Sequence, residues 1–437
     1  MTRASTDAGS RSAGTRPKDV VRKLSSEGVG YSVVELNDVR HVFAAAVPRR
    51  GSSLHQQAED ALRTIQAVID EEGTRGSIVH QAVFLAEPRQ IETCRQIMRD
   101  FYGRELPATS YIAQHPCEGK LLEIEALGVG CGGKEVEIER ISEQLVIARH
   151  NGIAWVHCAQ VTPQTEAQGV YERSISAFGA MRALLGSVNV RFDQVIRTWL
   201  YLGDIVGPDG ATQRYMELNR ARTDYYEGTR FLADRLPPGQ HGAVYPSSTG
   251  IGADDRDVMM SCIALVTDRE DILATPLENP RQTSAFDYAA SYGPKSPKFS
   301  RAMALSCGSH ATIFVSGTAS ITSSETRHVG DAAAQTHETL TNIEALIAEE
   351  NLARHGMPGL GTTLANLGLV RVYVKRAEDY AAVRSACQSR LGELPTVYAY
   401  ADVCRPELLV EIEAIAFSRR PAAESAPVPP PPHWPQV

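Results

Sequence analysis

Leu409-Val-Glu-Ile-Glu-Ala-Ile-Ala416, near the C-terminal end of a 437-residue chain, is the stretch whose reading decides the fold. Apolar Leu409, Ile412 and Ala414 are interleaved with the carboxylates Glu411 and Glu413, and the run continues into Phe417, which reads as a β-strand. A strand with carboxylates this close to its apolar run either turns them to solvent or buries at least one for a purpose. Buried Asp and Glu are rare unless paired or functional. Spacing by itself favours the solvated face of a half-buried strand.

A near-copy, Leu121-Leu-Glu-Ile-Glu-Ala126, occurs earlier in the chain. Glu123 lies 16 residues after Pro107, and Glu411 lies 16 residues after Pro395, so spacing as well as wording is repeated. Ahead of the first copy the pattern predicts a strand over 41–47, a helix over 54–72, a strand over 78–85 and a helix over 88–103. Within the first helix Ala58, Leu62, Ile65, Val68 and Ile69 recur at helical spacing and Gly73 supplies the stop. A middle segment of similar length repeats the order more weakly, with strands over 152–158 and 195–202, helices over 171–185 and 215–226, and a closing strand over 257–265 that lacks the paired carboxylates. The chain therefore divides into a polar leader (1–25, expected to be disordered), three units (26–138, 139–270 and 271–420) and a Pro-rich tail (421–437). The fold class is α+β.

The third unit resembles the Rid (YjgF-like) fold through Phe314-Val-Ser-Gly-Thr-Ala-Ser320, Gln335-Thr-His-Glu-Thr-Leu-Thr-Asn-Ile343 and the closing Leu-Val-Glu-Ile-Glu-Ala. Over residues 151–417 the chain is more narrowly similar to the chorismatases. That likeness is carried by Glu278-Asn-Pro280, Ser291-Tyr-Gly-Pro-Lys-Ser-Pro297, Asn351-Leu-Ala-Arg-His-Gly356 and Asp402-Val-Cys-Arg405. Rid proteins are typically homotrimers with a pocket at each subunit boundary. The resemblance therefore implies three tandem Rid-like units closing as an intrachain pseudo-trimer, monomeric in solution, with the first unit serving as structural filler.

Composition narrows the alternatives. A net charge of −8 without a long basic run argues against nucleic acid or an anionic membrane as the main partner. No run of about 18 apolar residues occurs, and the polar N-terminus has no apolar core of a secretory signal. Eight scattered cysteines without a C-x-x-C pair point to a reduced, cytoplasmic chain rather than a metal or disulfide framework. Gly128-Val-Gly-Cys-Gly-Gly-Lys134 satisfies G-x-x-x-x-G-K, but Glu135 stands where magnesium would need Ser or Thr, so a linker is the better reading. No G-x-S-x-G or H-E-x-x-H occurs.

The resemblance implies chorismate as substrate, cleaved to pyruvate and a hydroxybenzoate without metal or cofactor. Chorismate is a dianion with an enol ether, so its pocket needs fixed positive charge and an acid able to protonate the methylene carbon. A Glu in a water-poor pocket has the raised pKa this demands. Glu411 matches the family's catalytic Glu by motif; Glu413 is given no role. Arg197 and Arg222 are the candidate carboxylate clamps, against surface salt bridges, and Tyr292 is a candidate hydroxyl donor, against loop packing. Family members that only hydrolyse the substrate carry Ala where this chain has Gly317 and lack a Cys like Cys404. Members with Gly and Cys yield 3-hydroxybenzoate, some with 4-hydroxybenzoate. Gly317 is expected to leave room for the ring, and Cys404 to guide product formation, against the alternative of a small buried filler. The Rid deaminases' Pro-Ala-Arg is replaced by Pro107-Ala-Thr109 and Pro395-Thr-Val397, which weakens imine hydrolysis as an alternative. A binding-only protein is the third reading.

Overall fold

The computed structural model describes residues 20–26, 29–73, 77–131, 135–240, 242–255, 257–289 and 293–421. The first unit contains β1 (Val21–Ser26), β2 (Val29–Leu36), β3 (Val39–Ala46), α1 (Leu54–Glu71), β4 (Ile78–Leu85), α2 (Ile91–Tyr102), β5 (Ala108–Ala113) and β6 (Leu122–Cys131). The second has β7 (Glu137–Ser142), β8 (Leu145–His150), β9 (Ile153–Val161), α3 (Val170–Gly186), β10 (Val195–Gly203), the short ladder β11 (Pro208–Asp209) and β12 (Thr212–Gln213), α4 (Arg214–Tyr226), β13 (Ser247–Ala253) and β14 (Val258–Thr267). The third has β15 (Leu273–Leu277), β16 (Ala302–Cys307), β17 (His310–Ala319), the ladder β18 (Ile321–Thr322) and β19 (Glu325–Thr326), α5 (Ala332–Ile347), α6 (Glu349–Arg354), β20 (Leu367–Val374), α7 (Tyr380–Leu391), β21 (Thr396–Tyr400) and β22 (Val410–Arg419).

Each unit forms one six-stranded sheet, and the three strand orders are the same: β1-β2-β3-β6-β4-β5, β7-β8-β9-β14-β10-β13 and β15-β16-β17-β22-β20-β21. In each, the closing strand is inserted antiparallel between the third and fourth, and a helix crossover makes the last pair parallel. The weak middle repeat is thus a full copy, to which the structure adds the edge strand β13. Local sequence explains the helix starts: Ser53 and Gln56 form a capping box before α1, and Asp331 accepts from Ala334 N at 2.9 Å before α5.

On β22, Val410, Ile412 and Ala414 pack with Leu340, Ile343 and Leu346 of α5. The intervening Glu411 and Glu413 point to the opposite face, yet each is only 4% exposed. That face meets the other two units, which surround a central cavity of about 70 Å³ lined by His41, His80, His157, Trp199, Phe314 and Phe417 among others. The solvated-face reading from spacing fails here because the chain supplies its own trimer partners.

Three boundaries are corrected. β1 lies inside the stretch expected to be a disordered leader: Val21 packs with Val34, Leu369 and Phe417, and Val20 N donates to Asn366 Oδ1 at 3.0 Å. Residues 128–131 of the supposed linker belong to β6, and Gly128 lets α1 pack close there, since a Cβ would stand 2.6 Å from Ile69 Cδ1. β7 begins at Glu137, so the first two units divide before residue 138. Residues 1–19, Lys134 and residues 422–437 of the tail lie outside the described residues.

Candidate active site

Edge strand β13 of the second unit lies beside β17 of the third. Ser248 N donates to Ser316 Oγ at 2.9 Å, and Gly317 N donates to Thr249 Oγ1 at 3.0 Å. Between these strands, α4 and the segment before β22 is a cavity of about 420 Å³. Glu411, Gly317, Cys404 and Arg222 all line it, so four of the expected site residues are brought together from distant parts of the chain.

Glu411 is fully enclosed, and burial, reinforced by the Glu413 charge and opposed by Arg197 and Arg301, pushes its carboxyl up to about 8. It is therefore a protonated acid at neutral pH. Burial also pushes the Cys404 thiol up to about 12, with the neighbouring Glu411 adding to the effect, so Cys404 stays a neutral thiol. Tyr215 of α4 is held as a neutral phenol, mainly by burial and then by Cys404.

Arg222 is 1% exposed, donates to Asn219 Oδ1 at 2.5 Å and Ser248 Oγ at 3.3 Å, and lies over the Phe299 ring. Its Nε has no partner, and no carboxylate pairs with it among the described residues. A buried guanidinium held only by neutral groups is suited to pair with an anion. Arg301, which sequence reasoning missed, is a second buried guanidinium in this wall, close enough to the carboxyls of Glu278 and Glu411 to favour their charged forms. It is 4% exposed, with Nη2 donating to Thr283 O and Tyr288 Oη at 2.8 Å each and Nε without a partner. The signal available was a cation immediately before the apolar strand β16.

Gly317 sits at a bulge in the β17–β22 ladder. A Cβ there would clash with Glu411 Oε1 and stand 3.0 Å from Thr249 Cγ2, so the missing side chain makes room for the acid itself, not only for a substrate ring. Arg197 is not in the cavity wall, contrary to expectation. It is 2% exposed and donates to Glu413 Oε2 at 2.6 Å and Thr249 Oγ1 at 2.5 Å. The reason is pairing: a guanidinium in a wholly buried strand seeks a buried carboxylate, and Glu413 is it. Burial opposes the charge on Glu413, yet Arg197, Arg371, Thr249 and Trp199 together hold its carboxyl below the ordinary range. Tyr292 lies outside the described residues.

Register shows why this interface differs from the other two. Glu411, Glu123 and Met259 are equivalent, pairing with Tyr373, Phe84 and Tyr201. On the strand facing each of these positions, Gly250 corresponds to Tyr111 and Tyr398. Where the second and third units meet, this position is a glycine beside the Tyr215 ring in the cavity wall; at the other two boundaries it is a buried tyrosine. Met259 in addition removes the acid from one of them.

Known proteins resemble the chain in sequence and in fold. A family model described as endoribonuclease L-PSP matches residues 294–418. A solved chorismatase structure covers 86% of this chain and 98% of its own, at a TM-score of 0.60 and 20% identity, which shows a common fold. A 3-hydroxybenzoate synthase of Streptomyces hygroscopicus is 35% identical over 281 residues, spanning 61% of this chain and 77% of that protein. A chorismatase of Streptomyces rapamycinicus is 34% identical over 274 residues, again 77% of its length. The chain belongs to the chorismatase family. Its fold, three tandem Rid-like units in one chain, is that of the family, and it is an enzyme. Among the described residues no helix is long and apolar enough to cross a membrane, and no cluster of three or more His, Cys, Asp or Glu side chains is placed to hold a metal ion.

Proposed function

We propose that the chain cleaves chorismate to pyruvate and 3-hydroxybenzoate in the cavity between its second and third units, as a monomer. The observation that carries this reading is a protonated, buried Glu411 sharing one cavity with the carboxylate-free guanidinium of Arg222. The family relationship supplies the substrate class.

In this reading Arg222, with Arg301 beside it, binds substrate carboxylate, since a guanidinium matches a carboxylate in both charge and fork geometry. Glu411 transfers its proton to the enol-ether methylene carbon. The bond between ring carbon and ether oxygen then breaks and pyruvate leaves, while the neighbouring ring hydroxyl oxygen closes onto that carbon and gives up its proton. Opening of this epoxide with loss of a ring proton yields the aromatic product. The two products contain all the atoms of chorismate, so no water is consumed, and the Glu411 carboxylate is the group that recovers a proton. A neutral Cys404 acts here through its size and weak S–H donor rather than as a thiolate.

The deciding experiment is incubation of the purified protein with chorismate, with chromatography that separates 3-hydroxybenzoate, 4-hydroxybenzoate and the dihydroxycyclohexadiene carboxylate. Production of none of these, or undiminished cleavage by Glu411→Gln, refutes the proposal.

A further inference from the structure

The strand that supplies the acid also carries a buried charge network that the chemistry above does not use. Arg371 of β20 donates through Nε and Nη2 to the two carboxylate oxygens of Glu125, at 2.6 and 2.7 Å. Its Nη1 stands 3.1 Å from Glu413 Oε1 and donates to Tyr201 Oη at 3.0 Å. Arg197 and Trp199 bind the same Glu413 from the second unit, at 2.6 and 2.8 Å. Arg197, Arg371, Glu125 and Glu413 are all less than 10% exposed, and their charges cancel. Two routes connect this network to the cavity. Glu413 lies two residues from Glu411 on the same face of β22, and Thr249, which hydrogen-bonds Glu413, accepts from Gly317 N at 3.0 Å.

We propose that Glu125, from the unit that supplies no residue to the described cavity wall, is a positioning residue for cleavage: it holds Arg371 by two bonds, so that Glu413 keeps its negative charge beside Glu411 and Thr249 keeps the Gly317 bulge in place. The inference rests on reading Glu411 as the proton donor. Neutralising Glu125 leaves one uncompensated guanidinium in a dry interior and frees Arg371 to turn fully onto Glu413. Both effects favour the ionised form of Glu411, whose charged and titratable neighbours are Glu413, Arg197, Arg301, Cys404 and Tyr215, with Arg222, Arg405 and Glu407 in the same cavity wall. Neutralising Arg371 instead leaves an excess carboxylate and favours the protonated form. The first unit is therefore part of the acid's environment rather than filler.

The test is the pH–rate profile of pyruvate release for the full-length Glu125→Gln and Arg371→Gln variants, with thermal melts alongside. The alkaline limb is expected to move down by about one pH unit in Glu125→Gln, the low end for a charge change near a buried carboxyl, so that the rate at pH 8 falls several-fold relative to that at pH 6. It is expected to move up in Arg371→Gln and to return near the wild-type position in the double variant. A purely structural role would lower both melting temperatures and leave both limbs in place. An unmoved or raised limb in Glu125→Gln overturns the inference. Should that variant not fold, an unmoved or lowered limb in Arg371→Gln does the same. Failure of the underlying Glu411 reading shows separately, as cleavage that survives Glu411→Gln.

Discussion

Gly317→Ala places a methyl group where the acid now sits. The new carbon would clash with Glu411 Oε1 and stand 3.0 Å from both Glu411 Cδ and Thr249 Cγ2. Thr249 is tied to Glu413, Arg197 and Gly317 N, so the Glu411 carboxyl is the group that gives way. Overpacking of this kind costs about 1–3 kcal/mol, and displacing a catalytic group by about 1 Å lowers rate by up to about 100-fold. Pyruvate release is therefore expected to slow by roughly 10-fold or more in kcat, with a smaller change in KM, because the altered contact is made in the transition state. A re-aimed acid also changes which ring pose reacts, so the dihydroxycyclohexadiene carboxylate should appear beside hydroxybenzoate, most strongly together with Cys404→Ala. The assay is coupled pyruvate detection with chromatography of the ring product. A variant with wild-type turnover and unchanged product would show that Glu411 does not lie against the bulge, and the reasoning would fall.

Glu411→Gln preserves size but has no proton to give to carbon, and should abolish pyruvate release while leaving the melting temperature within a few degrees of wild type. In the wild type the rate should be level below pH 7 and decline tenfold per unit above about pH 8, where the acid ionises; a rate still rising at pH 9 would contradict this. Arg222→Ala should raise KM by roughly 10- to 100-fold, the value of a hydrogen bond to a charged group, with Arg222→Lys intermediate; unchanged KM in both would exclude Arg222 from carboxylate binding. Acid should destabilise the fold: burial holds His41 and His157 down to about 3 and His150 to about 4, whereas an unfolded histidine titrates near 6.5. Above pH 6.5 both states are neutral and these groups contribute nothing to stability. Between 6.5 and about 4 only the unfolded chain gains protons, so stability falls by up to about 1.4 kcal/mol per unit per histidine. A melting temperature flat from pH 7 to 4.5 would refute that account.

The two copies of Leu-x-Glu-Ile-Glu-Ala, their matched distance from a proline and the helical spacing of 54–72 are local periodicities, and they made two of the three units legible, together with the α+β class. Motif likeness led to Glu411, Cys404, Gly317 and Arg222, which do share a cavity. Residue spacing alone could not tell which carboxylate face is dry, because burial of Glu411 and Glu413 comes from units more than a hundred residues away in the chain. For the same reason Arg197 read as a ligand clamp when its partner was Glu413, and Arg301 was not read at all. Register across three sheets, not any one motif, decides that Gly250 stands at the boundary that holds the acid, where the other two boundaries carry a tyrosine. Periodicity is a property of neighbouring residues and survives in the sequence; desolvation and charge pairing depend on what the folded chain brings from elsewhere, and only the tertiary structure contains that.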